Sequence, residues 1–288
     1  MNYQYYPGCS LEGTAAEYNR STVALMAALE SELLEIEGWS CCGASAATAS
    51  SRLLSLALPA RNLALAERNE TLSDILVPCS ACYLNLKRVE ETLKSDPGGQ
   101  VELNQVLEAE ALQIQGRKRV RHLLDVLSRD VGPEGISKKR KKRLGPLRVA
   151  PYYGCQCLRP YAVFDDPEKP LSMEALIEAT GAVVHDWHMG AKCCGASHIT
   201  TEMDAGLKLV AAILKDARGA DAIVTVCPMC QMNLEAYQGK IARQAKEPLA
   251  VTVLYLPQLL GLCLGMSLED LGIDKNLSVT DAFLQRLT

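Results

Sequence analysis

Short apolar runs alternate with longer amphipathic stretches along the whole chain. In the first half, runs at 2–6, 33–37 and 74–77 predict strands. The stretches around 15–30 and 52–69 carry apolar residues at helical spacing, and a further helix is predicted from Ala81. The second half repeats the order. Strands are predicted at 147–153, 182–185 and 222–226, with helices at 173–179 and 202–217. A last helix begins at Pro228, where a proline in the first turn gives up no hydrogen bond. Such alternation predicts parallel sheets covered by helices. The most apolar stretch, 249–266, approaches membrane length, but Pro257 and Gln258 interrupt it. It reads as a strand (VTVLYL) followed by a short helix (QLLGLCLG), a buried core segment with no membrane insertion.

The alternation is a duplication. Cysteines fall at 9, 41, 42, 79 and 82, and again at 155, 193, 194, 227 and 230. "YYPGC" ending at Cys9 matches "YYGC" ending at Cys155, and "CCGAS" occurs at both 41–45 and 193–197. "CSACYLNL" matches "CPMCQMNL", so that Asn85 and Leu86 pair with Asn233 and Leu234. More weakly, "VRHLLDVL" from Val120 shares its apolar skeleton with "VLYLPQLL" from Val253. The expected fold class is α/β: two similar domains, each a small parallel sheet covered by helices, related by a pseudo-twofold axis. Residues 1–131 form the first domain and 147–288 the second. Between them, 132–146 carry six basic residues in a row at 138–143 and read as a solvated linker.

Composition narrows the chemistry. At 288 residues the chain has room for two domains of about 140 residues each. Thirty basic against 34 acidic residues make neither nucleic acid nor an anionic membrane a default partner. The N-terminus lacks the basic and apolar regions of a secretory signal, so a soluble, cytoplasmic protein is expected. In that compartment disulfides are disfavoured, and twelve cysteines point to metal or redox work.

Each half supplies five thiols: a single Cys, a Cys-Cys-Gly and a Cys-x-x-Cys, each just after a predicted strand. In open α/β sheets ligands gather at the carboxyl ends of strands, so the three groups can converge. A structural zinc takes four ligands, and so does a cubane 4Fe–4S cluster. Five is one too many for either, and adjacent cysteines rarely share one ion comfortably. A multinuclear iron–sulfur centre with an opened core, one thiolate bridging irons, accommodates both facts. Gly43 and Gly195 would let the backbone approach such a centre. A lone strand–Cys-x-x-Cys–helix also suits thioredoxin-like dithiol chemistry, but five cysteines recurring in the same order favour metal. Cys263 sits in the apolar QLLGLCLG segment and reads as core. Cys157 has no counterpart in the first half, where Leu11 stands; an extra ligand, a reactive thiol and neither are all open. His185, His188 and His198 flank the second Cys-Cys pair as proton donors or as packing residues.

Taken together, Cys9, Cys41, Cys42, Cys79 and Cys82, with Cys155, Cys193, Cys194, Cys227 and Cys230, resemble the duplicated cysteine-rich CCG domains of the heterodisulfide reductase B subunits. The segment LYLPQLLGLCLG also looks like that family. The resemblance implies two non-cubane 4Fe–4S clusters, one per five-cysteine set, near the interface between the halves. It implies an oxidoreductase acting on sulfur groups, in which the clusters split a disulfide of two thiol cofactors. The chain has no ferredoxin-type C-x2-C-x2-C-x3-C-P run, so electrons must come from elsewhere. The family supplies them through two companion chains, one a ferredoxin-like iron–sulfur protein and the other a flavin-containing protein. Cys157 departs from the family pattern, and the long interval between Cys42 and Cys79 leaves a mononuclear metal in the first half as an alternative. Two rival functions remain: an electron-transfer protein that relays to a partner's active site, and a structural zinc scaffold.

Overall fold

The computed structural model describes residues 1–287. Each half contains a four-stranded, wholly parallel sheet. The first comprises β1 (Asn2–Tyr5), β2 (Glu32–Glu35), β3 (Asp74–Val77) and β4 (Arg119–His122), in the order β2-β1-β3-β4. The second comprises β5 (Arg148–Tyr152), β6 (Val183–Val184), β7 (Ala222–Thr225) and β8 (Thr252–Tyr255), in the order β6-β5-β7-β8. The strand order is the same in both halves, as a duplication demands. The central strands are buried apolar runs, β7 along its whole length, because helices cover both faces. The weak match at Val120 and Val253 marks the fourth strand of each sheet. Pro151 lies in the central strand β5, yet little is lost. Its side of β5 faces β6, which ends at Val184, and its carbonyl instead accepts the Trp187 Nε1–H at 3.1 Å.

The halves meet through reciprocal contacts. The Tyr18 ring, on helix Ala16–Ala28 of the first half, stacks on Tyr255 at the end of β8, with centroids 4.0 Å apart. In mirror fashion Phe164 of the second half stacks on His122 at the end of β4, with centroids 6.1 Å apart. One apolar core runs through both contacts, from Tyr3, Tyr18 and Leu25 to Leu256, Leu259 and Leu260. A smaller core, around Val210, Ile213, Ile223 and Val253, belongs to the second half alone.

The connector is tied to both halves, although most of its basic run is exposed. Residues Gly132–Lys139 form a helix that buries Ile136, and Leu144 is buried beyond it. Lys139 bonds the Ala28 carbonyl of the first half, Arg140 bonds the Ala179 carbonyl of the second, and the Lys141 and Lys142 amides both bond Cys263 O. Lys138, Lys141, Lys142 and Arg143 stay exposed, while two apolar side chains and the carbonyl acceptors on both halves hold the connector down.

Candidate metal centres

Each single cysteine follows a strand through a tight glycine turn. Gly8 and Gly154 have φ near +70°, and a Cβ there would lie 2.8 Å from Cys82 Sγ and 3.0 Å from Cys230 Sγ. Only glycine lets the first cysteine turn come down onto the Cys-x-x-Cys. That pair opens the next helix, Ser80–Ser95 in the first half and Pro228–Ala236 in the second.

In the first half Cys9 and Cys41 lie with sulfurs 3.5 Å apart, and Cys42 and Cys82 with sulfurs 3.3 Å apart. Cys79 bonds Cys82 and lies within electrostatic reach of Cys9, so the five thiols form one group. In the second half Cys194 and Cys230 lie 3.6 Å apart, Cys155 bonds Cys193, and Cys227 bonds Cys230. Cys42, Cys79 and Cys82 are buried, whereas Cys9 and Cys41 are exposed; Cys194, Cys227 and Cys230 are buried, Cys155 is half-buried and Cys193 exposed. Both groups therefore have a buried floor and an open edge.

The thiols share protons in pairs. The bond to Cys82 brings Cys42 down to about 6, and the bond to Cys155 does the same for Cys193. The bond to Cys230 brings Cys227 to about 7. Cys9 goes the other way, to about 11, because partial desolvation of its sulfur and the neighbouring sulfurs disfavour its thiolate. Among the described residues no three Cys, His, Asp or Glu side chains close round one point tightly enough to hold a single ion. A donor set of five soft sulfurs, two of them adjacent, suits a larger group that offers several points of attachment.

Two residue types beside the sulfurs are visible in the sequence only as repeats. Tyr6 and Tyr152, three residues before the single cysteine, each donate a 2.7 Å bond to the carbonyl preceding the Cys-Cys pair, Ser40 O and Lys192 O. Asn85 and Asn233, three residues beyond the Cys-x-x-Cys, donate to the Cys42 and Cys194 carbonyls at 3.3 and 2.8 Å. The glycines after the pairs bring backbone amides to the sulfurs and also make room for a helix. Gly43 and Gly195 turn at positive φ so that their amides donate to Cys41 Sγ and Cys193 Sγ at 3.4 and 3.3 Å. Their missing Cβ atoms would strike Ala47 and Leu58, or Leu209 and Gly206. They therefore admit helix packing as well.

Other candidates separate. Cys263 is buried in helix Leu256–Cys263, and burial raises its thiol to about 11. Cys157 is buried and donates to Tyr153 O at 3.3 Å. His185 is aimed at Asp216 O, at 3.5 Å, and the His188 amide is held by the Asp216 carboxylate. Of the three histidines in this stretch, His198 is the one tied to the Cys-Cys-Gly turn, its amide bonding Gly195 O at 2.9 Å.

The profile of the cysteine-rich domain family called CCG matches residues 3–87 and 149–235, one copy on each five-thiol group. The chain belongs to the CCG family. A relative in Wolinella succinogenes, the 8-methylmenaquinol:fumarate reductase membrane anchor subunit, is 38% identical, over 95% of this chain and 96% of its own. A second relative is the B subunit of the ferredoxin/F420H2-dependent CoB-CoM heterodisulfide reductase of Methanosarcina acetivorans, 31% identical over 98% of this chain and 95% of its own. A protein of Archaeoglobus profundus described as like the heterodisulfide reductase B subunit is 29% identical, over 93% and 92%. The fold is shared with the crystal structure of a hypothetical protein from Helicobacter pylori, with a TM-score of 0.77 at 16% identity, covering 97% of this chain and 52% of that one. Although one relative of this CCG protein is named a membrane anchor, no helix among the described residues is long and apolar enough to cross a membrane.

Proposed function

We propose that each five-cysteine group holds a non-cubane 4Fe–4S cluster, and that the chain is the sulfur-handling member of a heterodisulfide-reductase-like complex, cleaving or forming a disulfide. The observation that carries this reading is the repeated group itself: five thiols, three buried, gathered at the carboxyl end of each sheet. Cys9, Cys41, Cys42, Cys79 and Cys82 would hold one cluster, and Cys155, Cys193, Cys194, Cys227 and Cys230 the other. Such a cluster supplies one-electron storage and an iron position soft enough for a substrate sulfur. The buried cysteines anchor, while the exposed Cys9, Cys41 and Cys193 leave an approach for a thiol or disulfide carrier. Tyr6, Tyr152, Asn85 and Asn233 hold the Cys-Cys turns, so the sulfurs keep their directions when charge changes. Electrons would arrive from a ferredoxin-like iron–sulfur partner and a flavin-containing partner, with the complex in the cytoplasm.

A second reading rests on the Wolinella succinogenes relative, whose name places it in a quinol:fumarate reductase. There the two centres would relay electrons to a partner and touch no disulfide. Anaerobically purified protein should carry iron and sulfide for two four-iron centres. A panel of small thiols added to the oxidised protein should then raise a new paramagnetic signal, broadened by iron-57 and by sulfur-33 in the thiol. Cys193→Ser and Cys194→Ser should remove it if the second centre opens. Stoichiometric zinc without iron would sink the cluster reading, and full iron with no response to any thiol would favour the relay.

A further inference from the structure

The two cysteine groups share a pattern but not their surroundings. Ser80 lies inside the first-half Cys-x-x-Cys, yet its buried hydroxyl crosses to the other half. It donates to Val226 O at 3.2 Å, the carbonyl immediately before Cys227. His122 fixes it there. The ring Nδ1 accepts the Leu124 amide at 3.1 Å, which leaves the proton on Nε2, 3.2 Å from Ser80 Oγ. Complete burial keeps this ring neutral, its pKa pushed down to about 3, so the tautomer does not change near neutral pH. Phe164 stacks on one face of the ring and Tyr83 meets its edge.

The converse contact has no chemistry to form it. Pro228 stands where Ser80 would be in the second half, and it has no hydroxyl to send to Cys79. Tyr255 replaces His122, and Leu11 replaces Cys157. Charge is one-sided as well. Arg159 donates to Ala191 O at 2.7 Å, two residues before Cys193, its amide bonds Cys155 O at 3.0 Å, and the outer side of its guanidinium pairs with the exposed Glu168 at 3.0 Å. It therefore links the two stretches of backbone that carry Cys155 and Cys193, and the His198 amide bonds Gly195 O at 2.9 Å on the same turn. Gly13 and Ala46 occupy the matching places in the first group.

We propose that the two centres are inequivalent, and that Ser80 and Arg159, as positioning residues, make the second-half centre the one that accepts an electron first. The proposal rests on the cluster reading. A donor on the carbonyl that leads into a ligating cysteine and a cation beside the group both stabilise the negative charge that one added electron brings, so the potential rises. No bond forms or breaks in that step.

The test is a dithionite titration of the iron-loaded, full-length protein through mediators, followed by paramagnetic resonance. Wild type should reduce in two steps, and Cys194→Ala should abolish the higher-potential one. Ser80→Ala should move that same step to lower potential by about tenfold in the equilibrium, about 59 mV for one electron. The first-half step should stay in place although the substitution lies within its own motif. Ser80→Thr, which keeps the hydroxyl, should restore the step, and Arg159→Gln should lower it independently. Loss of the lower step in Cys194→Ala, or a Ser80→Ala shift confined to the first-half step, would overturn the proposal while leaving the clusters standing. Protein that binds no iron would overturn the cluster reading and this ordering with it.

Discussion

Glu235 shows how the groups behind the sulfurs are loaded. It lies one turn beyond Cys230 on helix Pro228–Ala236, buried, and its carboxylate accepts the Ser278 amide at 3.2 Å. Burial raises its pKa from 4.5 to about 7. The folded state thus holds this proton more tightly than the unfolded chain does. Between those values stability falls as pH rises, and above about 7 the loss is complete. Glu235→Gln keeps an acceptor for Ser278 and removes the charge. It should stabilise the protein on the order of 2 kcal/mol at pH 8 and flatten the slope between pH 5 and 7. Urea unfolding at several pH values reads both, and an unchanged slope would rule this carboxyl out. Glu17 and Glu174 are raised in the same direction, so some slope remains.

At the scale of elements, the turn after each Cys-Cys pair is shaped by the helix it meets. Gly43 has φ +84°, and a Cβ there would fall 2.5 Å from Ala47 Cβ, an atom fixed to its helix backbone. Gly38 has a comparable φ of +71° with nothing within 4 Å. The two glycines separate conformational strain from collision. Gly38→Ala should cost about 1 kcal/mol, the strain of a left-handed alanine. Gly43→Ala should cost about 1–3 kcal/mol more, because the turn must move away from helix Ala46–Ser50. Equal losses in denaturant unfolding would show that the turn yields freely. The connector belongs to this scale too, since helix Gly132–Lys139 ties Ala28 to Ala179 through neighbouring basic residues.

For the whole molecule, the decisive feature is that the larger apolar core spans both halves. Tyr18 and Tyr255 stack across the join, and Ser80 bonds Val226 across it. A fragment of residues 147–288 would expose Tyr255, Leu256, Leu259 and Leu260, all buried in the intact chain. At about 1.5–3 kcal/mol for each such side chain, losing cover on four of them costs about 6–12 kcal/mol, comparable to a domain's usual margin of about 5–15 kcal/mol. The fragment should therefore unfold or aggregate, and co-expression with residues 1–146 should rescue it. A fragment that unfolds cooperatively on its own would show that its smaller core suffices.

The cysteine spacing, the repeat and the strand–helix alternation are legible along the chain because each is a local pattern with a fixed period. The five-thiol groups, the parallel sheets and the buried place of Cys263 follow from them. The connector's ties are not legible, because six consecutive basic residues say nothing about the carbonyls waiting on either side of them. Gly43 and Gly195 stand out in the repeat, but part of the reason for them is a neighbouring helix, which no spacing reveals. Tyr6, Tyr152, Asn85 and Asn233 recur in the repeats too, though their direction toward the Cys-Cys turns depends on how strand and helix ends meet. The sequence by itself determined which atoms are available and in what order, because periodicity and motif spacing are carried by neighbours. Only the tertiary structure decided that Ser80 serves the other half, because that contact joins residues 146 positions apart through an interface.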